Sequence, residues 1–358
     1  MIHKSILGIA SASALAMLAT AAVAQDAPPA GTIVDGSLKG KTLTFVSYGG
    51  IYQDGQVAAM KEFVDRTGVT LLNDGPTEIA KLQAQVESGN VTWDVVDTAD
   101  FPPYVHCGTL FQKLDFSKLD ISHIPPGQVG ECSVPAMNYG IVLMYKNDTY
   151  KDNPPKDWKD FFDTEKFPGI RAIDGSGDPL GGLIEQGVLA DGGSVENMTA
   201  ADIDRGIAKI KALGPDTIFW KTGAESQQLA ESGEADMIMM WTGRAMTAVK
   251  NGAEYTPVWQ DWMVVMDQMT IPVGVKGTEA SYALINAYLG KQAQEVLTEQ
   301  TSYSPIHDEA QPKVDPSVAA FLTNTPERVK QGYQQNIKFW VENFDAASEK
   351  WTALMSGN

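Results

Sequence analysis

The sequence predicts an α/β protein with two lobes, and three observations support this prediction. Predicted strands and helices alternate along the chain, which is typical of a parallel sheet covered by helices. Two such units follow each other, at residues 41–96 and 141–241. The chain of 358 residues is longer than one hydrophobic core usually supports, and its 43% hydrophobic content indicates well-packed globular structure.

The first 24 residues have the pattern of a cleaved secretory signal peptide. A weakly basic start precedes an apolar, Ala- and Leu-rich stretch at 5–23, and a small-x-small site ends at Ala24. The alternative is an uncleaved N-terminal anchor. No later segment approaches the ~20 apolar residues of a membrane-spanning helix. We therefore expect residues 1–24 to be removed and the mature protein to work outside the cytoplasm.

The first unit has the order β-α-β-α-β. Its predicted elements are a strand at 41–47, a helix at 54–67, a strand at 69–72, a helix at 77–88 and a strand at 94–96. Ligands bind at the carboxyl ends of strands in open sheets of this kind. Those ends fall at 47–52 and 97–100. The turn Tyr48-Gly49-Gly50 lacks the full dinucleotide-binding pattern and instead allows backbone to approach a ligand or a helix.

The second unit repeats the alternation, and the chain then returns. Its predicted elements are strands at 141–145, 170–173 and 237–241, and helices at 158–162, 180–189, 199–213 and 225–232. Thr199 and Asp202 resemble a capping box at the start of one of these helices. A β-rich run at 263–273 and a helix at 280–289 follow, and residues 327–355 read as strongly helical.

Charge and motifs exclude several function classes. A formal charge of −18 repels nucleic acid and anionic lipid and favours cationic ligands weakly, although solubility is the preferred explanation for it. The sequence has no nucleophile elbow, P-loop or zinc-protease motif, and no usable His/Cys dyad. A secreted hydrolase is therefore a poor alternative, and we expect no enzyme activity, no cofactor and no bound metal.

Aromatic and charged residues gather at the predicted strand ends. They are Tyr48, Tyr52, Asp100, Tyr139, Trp220, Trp241, Arg244 and Asp267. Each alone has a structural interpretation, such as a core Trp, an N-capping Asp or a surface Arg in a salt bridge. As a group they suggest a ligand cleft. Aromatic faces with carboxylates suit an ammonium ligand, through cation–π contacts and charge-assisted hydrogen bonds.

The chain has two cysteines, Cys107 and Cys132. An even pair in an oxidising compartment is compatible with a disulfide, which would close a loop spanning 25 positions. His106 and His123 lie nearby in sequence, so a metal site is the alternative. The spacing of these four residues matches no zinc template.

Several segments resemble the periplasmic solute-binding proteins of polyamine-type ABC transporters, the spermidine/putrescine-binding family. The matching segments are SYGG at 47–50, WDVVDTAD at 93–100, MWTGR at 240–244, VMDQMTIPV at 265–273, YSPIH at 303–307 and FWVENF at 339–344. None is diagnostic alone, but their order and spacing cover nearly the whole mature chain. The cysteine pair also resembles one in a subgroup of these proteins, which implies that it is bridged.

The resemblance implies a two-lobed clamp that closes on its ligand, with two hinge crossings near 135–139 and 266–272. The implied division is lobe 1 at 25–136 and 270–326, lobe 2 at 137–269, and C-terminal helices at 327–358. The implied function is capture of a small amine-bearing solute in the periplasm and its delivery to an inner-membrane ABC permease. We expect a monomer that does not bind nucleic acid.

By position, the resemblance also implies a set of ligand-binding residues. They are the turn at 47–50, Ala99 with Asp100, Gly175 with Ser176 where many relatives have an acidic residue, Trp241, Asp267 and Tyr303. Asp267 matches the carboxylate that grips an amine, and Trp241 matches an aromatic wall of the cleft.

Three departures from the family pattern bear on the ligand. Val265 stands where polyamine binders often have an aromatic residue, and Tyr48-Gly49-Gly50 replaces the acidic pair of the first loop. Arg244 places a guanidinium beside Trp241, where it would face a dication unfavourably and a carboxylate favourably. The ligand could therefore be a zwitterion such as γ-aminobutyrate, held by Asp267 and Arg244. The alternative for Arg244 is an internal salt bridge.

Another ligand class is the second hypothesis: ferric iron, an oxyanion or a sugar. Related two-lobed proteins bind iron through tyrosines, and Tyr48, Tyr52, Tyr139 and Tyr303 are available. The sequence lacks an adjacent tyrosine pair and a partnering histidine, which argues against iron.

Overall fold

The structure is a computed structural model of the chain, and it describes residues 27–125, 127–175 and 183–357. The predicted signal peptide and Ser176 lie outside the described residues. Nine strands occur in these ranges. They are β1 (Thr42–Val46), β2 (Thr70–Asp74), β3 (Val95–Ala99), β4 (Val134–Lys146), β5 (Arg171–Asp174), β6 (Ile218–Trp220), β7 (Met237–Trp241), β8 (Tyr255–Thr270) and β9 (Tyr333–Gln334).

Fourteen α-helices occur in the same described ranges. They are α1 (Gly50–Thr67), α2 (Ile79–Ser88), α3 (Phe101–Val105), α4 (Asn147–Tyr150), α5 (Trp158–Phe162), α6 (Leu183–Ala190), α7 (Ala200–Ala212), α8 (Gly223–Ser232), α9 (Thr242–Lys250), α10 (Glu279–Tyr288), α11 (Lys291–Thr301), α12 (Pro316–Ala319), α13 (Pro326–Gln331) and α14 (Ile337–Met355). The capping box expected at Thr199 is present: Thr199 N–H donates to the Asp202 carboxylate.

One continuous sheet connects the strands, in the order β2-β1-β3-β8-β4-β7-β5-β6, with β9 paired to β8. β1 is parallel to β2 and β3, and β5 is parallel to β6 and β7, which confirms the predicted α/β class. β8 runs antiparallel to both β3 and β4. The long strands β4 and β8 therefore join two smaller parallel sheets.

The buried apolar residues form two bodies, which we call lobe 1 and lobe 2. The core of lobe 1 contains Phe45, Val95 and Val134, together with Met269 and the helices α10 and α11. The core of lobe 2 contains Ile141, Ile173 and Met239 on one face of the sheet and Val142, Ala172 and Met240 on the other. β4 thus passes from the lobe 1 core at Met137 to the lobe 2 core at Ile141, and β8 passes back.

The crossing strands are longer than sequence periodicity indicates. Strands were expected at 141–145 and 263–273, whereas β4 spans 13 residues and β8 spans 16. The reason is a change of surroundings within each strand, because one half packs in each lobe and no single alternation of apolar residues runs through both. The short strand β6 and the helices α9 and α11 were not predicted.

The segment predicted to be helical, 327–355, forms two helices with an interruption between them. The chain forms α13, then the short strand β9 against β8, then α14. Gly332 lies at the break, where an added Cβ would come within 2.6 Å of the Trp262 ring. Asn336 then restarts the helix, since its side chain accepts a hydrogen bond from Phe339 N–H. Contact with β8 therefore overrides helix propensity here.

The expected disulfide is confirmed, with a Cys107–Cys132 S–S distance of 2.07 Å. It lies in lobe 1, where Cys132 is buried with Val46, Val96 and Phe111. Within the ranges that the structure describes, no helix is both long and apolar enough to cross a membrane.

Candidate ligand-binding site

Asp267 occupies the point at which β8 leaves lobe 1. Its register partners are Ala99 on β3 and Met137 on β4. Directly opposed residues of antiparallel strands share a face, and successive residues alternate between faces. Asp267 therefore shares its face with Ala99 and with Tyr139, while Met266 and Gln268 point to the other side. The carboxylate is 6% exposed, so it lies at the base of any cleft between the lobes.

Four tyrosines surround this carboxylate, and all four were predicted from sequence. Tyr52 and Tyr303 meet edge to face with ring centroids 5.3 Å apart, and Tyr139 and Tyr303 meet at 5.9 Å. Burial and the nearby Asp267 carboxylate raise the pKa values of Tyr52, Tyr139 and Tyr303. The same two causes raise the pKa of Tyr48 to about 12. The cluster thus presents neutral hydroxyls and aromatic rings around one acid.

The β1–α1 turn positions Tyr48 and Tyr52. Gly49 and Gly50 have φ values of 77° and 58°, a region that strongly favours glycine, and this lets α1 start directly after the strand. The side chain of Gln53 accepts from Gly49 N–H at 3.0 Å and holds the turn. Tyr48 reaches across to β3, where its hydroxyl accepts from Ala99 N–H at 3.0 Å. This contact joins the first two predicted ligand loops.

Burial, together with the neighbouring Asp100 carboxylate, raises the pKa of Asp267 to about 7. The hydroxyl of Tyr52 acts in the opposite direction by hydrogen bonding. No cation forms an ion pair with Asp267 in the described part of the chain. A buried carboxylate in this state gains most from an incoming cation, which would supply the missing counter-charge.

The lobe 2 wall is formed by the ends of β6 and β7 and the start of α9. Trp241 ends β7 and packs edge to face on Trp220, with centroids 5.7 Å apart. Gly223 lies under both Trp241 and Arg244, because an added Cβ there would come within 2.7 Å of the indole and 3.0 Å of the guanidinium. Glycine at 223 is what lets these two side chains lie side by side.

Arg244 faces the cleft without an acidic partner. Its side chain is exposed, and its hydrogen bond within the described residues goes to the Gln227 side-chain oxygen at 3.3 Å. The internal salt bridge considered above is therefore absent among these residues. Its charge reaches Tyr303, where it lowers the pKa while Asp267 raises it. The Tyr303 ring also lies close to Gly243 at the start of α9. Tyr303 thus lies close to α9 and is influenced by both a cation on lobe 2 and an anion on β8.

Of the remaining predicted residues, Asp100 lies on lobe 1 and Gly175 lies on the lobe 2 wall, where its N–H donates to the Trp220 carbonyl at 2.7 Å. Asp100 follows β3 and precedes α3, and its charge acts on Asp267, Tyr139 and Glu185. Gly175 follows β5, and an added Cβ there would meet Phe219 at 2.6 Å. Gly175 therefore allows β5 and β6 to approach each other closely, and Ser176 next to it is outside the described residues.

Two buried acids near the site were not predicted from sequence. Asp97 on β3 is 0% exposed and is hydrogen-bonded to Ser47 and Tyr52. Glu185 on α6 is 0% exposed and accepts from Trp340, Gln335 and Tyr333. A carboxylate inside an otherwise apolar strand or helix segment is the signal that could have identified both.

A cavity of about 240 Å³ lies elsewhere, on the opposite face of β8. It is lined by Val264, Met266 and Gln268, by the predicted site residue Asp100, and by residues of α3, β9 and the start of α14. Side chains at the even-numbered positions of β8 point away from Asp267. Asp267 and this cavity therefore lie on opposite faces of the sheet. We place the candidate ligand site at Asp267 because a buried acid among tyrosines is suited to binding an amine.

Outside the cleft, His123, His307 and Asp308 come together although His307 is distant in sequence. The two imidazole rings stack with centroids 4.3 Å apart and planes 11° from parallel. His123 Nδ1 lies 2.9 Å from the Asp308 carboxylate. Rings stacked in this way direct their in-plane lone pairs into separate planes, so they do not converge on one ion without rotating.

Comparison with known proteins gives a consistent result. A sequence model of bacterial extracellular solute-binding proteins matches residues 58–328. The chain is 26% identical over 322 residues to the γ-aminobutyric acid-binding protein of Pseudomonas aeruginosa, covering 87% of this chain and 90% of that protein. It is 24% identical over 266 residues to spermidine/putrescine-binding periplasmic protein 1 of Haemophilus influenzae, covering 70% and 72%.

A solved structure extends these similarities to three dimensions. The structure of the Atu4243 GABA receptor superposes with a TM-score of 0.78 at 34% sequence identity, over 88% of this chain and 98% of that chain. The substrate-binding protein of a Bradyrhizobium japonicum ABC transporter superposes with a TM-score of 0.79 at 30% identity, over 88% and 99%.

Proposed function

The chain belongs to the bacterial extracellular solute-binding protein family, and from this premise we propose that it captures a small zwitterionic ω-amino acid, with γ-aminobutyrate as the leading candidate. It acts in the periplasm and delivers the solute to an ABC permease. Proteins of this family bind and transport solutes rather than convert them. The similarity to both a γ-aminobutyric acid-binding and a polyamine-binding protein supports an amine-bearing ligand.

The observation that carries the proposal is a pair of opposite charges at the cleft, each without an ion-pair partner among the described residues. Asp267 lies among tyrosines at the base of the cleft, and Arg244 lies exposed on lobe 2. An ammonium group between the rings meets the carboxylate through a charge-assisted hydrogen bond and the aromatic faces through cation–π contacts. A carboxylate at the other end pairs with the guanidinium, which is suited to bidentate binding.

The same arrangement selects against other amines. An α-amino acid carries both charged groups on one carbon, whereas here Asp267 and Arg244 form no ion pair with each other and both act on Tyr303. A diamine would bring its second ammonium toward Arg244, and like charges placed together oppose binding. We therefore expect ligands with a short chain between the amine and the carboxylate to bind best.

Closure about β4 and β8 completes the site. We propose that lobe 1 comprises 25–136 and 270 to about 313, and that lobe 2 comprises 137–269. The expected boundary of lobe 1 at 326 changes for one reason. Val318, Phe321 and Leu322 pack in the lobe 2 core, so residues from about 314 move with lobe 2, as do the C-terminal helices. Hinge closure in a monomer brings Arg244 toward Asp267.

The other ligand classes have less support. Ferric iron needs ionised tyrosines, but burial and Asp267 raise the pKa values of Tyr52 and Tyr139. An oxyanion would meet Asp100 and Asp267, and the cost of approaching these acids exceeds what one exposed arginine returns. No contact in the described residues specifically favours a sugar.

Calorimetric titration with a matched set of small molecules tests the proposal. γ-Aminobutyrate carries both charged ends, butyrate lacks the amine, butylamine lacks the carboxylate, and putrescine replaces the carboxylate by a second amine. We expect γ-aminobutyrate to bind at least about tenfold more tightly than each of the others, because each loses one charged pair. Tighter binding of putrescine would make this protein a polyamine binder. Binding of none of the four would remove the amine class.

A further inference from the structure

Asp97 is the most deeply buried acid beside the proposed ligand site. It is 0% exposed and lies on β3, two residues before Ala99. Ala99 is the register partner of Asp267, and Asp97 is that of Met269. Asp97 and Asp267 are therefore diagonal neighbours on one face of the sheet, with Asp97 one step deeper in lobe 1. The cleft can reach Asp267, but Asp97 is behind it.

The partners of Asp97 are neutral. Ser47 Oγ lies 3.0 Å from one carboxyl oxygen, and the Tyr52 hydroxyl lies 3.1 Å from the other. Among the described residues no lysine, arginine or histidine forms an ion pair with Asp97. Burial of an ionised carboxylate without a cation is strongly unfavourable, and such groups usually take up a proton instead. Burial and the adjacent Asp267 both raise the pKa of Asp97.

A count of protons agrees with a neutral acid. Ser47 Oγ lies 2.6 Å from Gln56 Oε1 as well as 3.0 Å from Asp97, but a hydroxyl carries a single proton. Both contacts become hydrogen bonds if Asp97 donates to Ser47 and Ser47 donates to Gln56. The second oxygen of Asp97 then accepts from Tyr52. In this order the Ser47 hydroxyl accepts one hydrogen bond and donates one, and the Tyr52 hydroxyl donates one.

We propose that Asp97 is a positioning residue that stays protonated and fixes the Tyr52 hydroxyl beside Asp267, leaving Asp267 as the carboxyl group that ionises when an ammonium binds. Without ligand, a protonated Asp267 can donate to the Tyr52 oxygen and extend the same chain. When an amine arrives already protonated, Asp267 releases its proton to solvent and pairs with the ammonium. The proton on Asp97 stays in place throughout. This inference rests on the proposed function for its ligand but not for the state of Asp97.

Other groups around the two acids fit this division. The titratable and charged groups that face them are Tyr48 and Tyr52 near the first turn, Asp100 after β3, Tyr139 on β4, Tyr288 on α10, Tyr303 after α11, and Arg244 through Tyr303. All but Arg244 are tyrosines or acids. The ligand ammonium is therefore the cation that the two acids lack, and of Asp97 and Asp267 it can reach only Asp267.

Infrared spectroscopy of the ligand-free protein tests the state of Asp97 directly. At pH 8.5 Asp267 and Glu185 are mostly ionised, since their pKa values are raised to about 7. We expect a carboxylic acid C=O band at this pH that disappears in Asp97→Asn and persists in Asp267→Asn. A spectrum in which Asp97→Asn removes no such band would overturn the proposal, whatever the protein binds.

Titration with γ-aminobutyrate tests the positioning role. Asp97→Leu removes the acceptor for Tyr52, and we expect Kd to rise at least tenfold, whereas Asp97→Asn restores a neutral group with both donor and acceptor and brings Kd back to within about threefold of wild type. Affinity loss in Asp97→Asn as large as in Asp267→Asn would show that Asp97 is an anionic ligand group. Wild-type affinity in Asp97→Leu would show that it positions nothing. Circular dichroism identifies a variant that fails to fold, and Asp97→Asn then decides alone.

Proton release distinguishes the two acids in the same titrations. Calorimetry at pH 6 in buffers of different ionisation enthalpy measures the protons released on binding. We expect release of most of one proton in wild type and in Asp97→Asn, and almost none in Asp267→Asn. Equal loss of proton release in both variants would overturn the division of roles. If wild type binds neither γ-aminobutyrate nor putrescine, the proposed function fails while the infrared result still decides the state of Asp97.

Discussion

Asp267 and Glu185 are two buried carboxyl groups with similarly raised pKa values, but their hydrogen-bond partners differ. Burial raises the pKa of both Asp267 and Glu185 to about 7. Glu185 accepts from the Trp340 indole at 2.7 Å, from Gln335 at 3.2 Å and from Tyr333 at 3.3 Å. Asp267 has Tyr52 as its hydrogen-bonding neighbour. A shifted pKa alone therefore does not identify a ligand site; the number of donors already committed to the acid does.

This difference in hydrogen-bond donors indicates a structural role for Glu185 and a ligand-binding role for Asp267. Glu185 joins α6 to the segment from β9 to α14, so its donors tie the C-terminal helix to lobe 2. Its hydrogen-bonding capacity is already used within the protein. Asp267 keeps capacity for a group from outside and lies where β8 passes between the lobes. The following predictions separate these roles, starting with the largest expected effect.

Asp267→Asn should cost the most affinity. A buried ammonium then loses its charged partner, and we expect γ-aminobutyrate binding to weaken by about 3 kcal/mol, a Kd increase of more than a hundredfold. Stability at pH 8 should rise, since no buried charge remains. Calorimetric titration and thermal unfolding measure the two effects. Glu185→Gln is the matched control and should leave Kd within about threefold of wild type. A similar affinity loss in both variants would abolish the distinction between the acids.

Glu185→Leu should cost stability rather than affinity. The substitution leaves the buried Trp340 indole N–H without its acceptor and removes one acceptor each from Gln335 and Tyr333, and we expect about 2–4 kcal/mol of destabilisation. Glu185→Gln keeps one acceptor oxygen and should lose much less. Urea unfolding at pH 7 measures both values. A Leu variant as stable as wild type would show that these donors find other partners.

Arg244→Gln should affect one end of the ligand alone. We expect γ-aminobutyrate to bind about 1–2 kcal/mol more weakly, because an exposed guanidinium is partly screened by solvent. Butylamine, which lacks a carboxylate, should bind the variant as it binds wild type, and putrescine should bind equally or better. Parallel titrations of the three molecules provide the test. Loss of butylamine affinity would place Arg244 in the fold rather than in ligand recognition.

The pH dependence of the free energy of unfolding should report on both acids at once. Their pKa values are about 7 in the folded protein and about 4 in the unfolded chain, so the folded state holds extra protons between these values. The free energy of unfolding of ligand-free protein should therefore fall as pH rises from 5 to 8, by at most ~1.4 kcal/mol per unit for each group. Denaturant unfolding across this range measures the slope. The double variant Asp267→Asn/Glu185→Gln should lose the contributions of these two acids and keep the slope that the protonated Asp97 adds, and an unchanged slope would contradict these assignments.

Sequence patterns predicted much of the fold because local rules operate strongly in it. The strand at Met237–Trp241 and the helix at Trp158–Phe162 were predicted with the observed bounds, and the capping box at Thr199 was correct. Strand-end logic also selected Tyr48, Tyr52, Tyr139 and the acid they surround. These features depend on residues close in sequence or on the general rule that ligands bind at strand ends.

The sequence by itself determined the α/β class, the two units, the cysteine pair and a set of aromatic and charged residues suited to an amine. Tertiary structure alone decided how those residues divide their work. Asp97, Asp267 and Glu185 are each an acid in an apolar stretch, and no local pattern states how many donors converge on each. That number depends on side chains up to 155 positions away, such as Trp340 on Glu185. Packing determines burial and hydrogen-bond satisfaction. The sequence therefore indicates which groups can carry chemistry, whereas the tertiary structure determines the role of each.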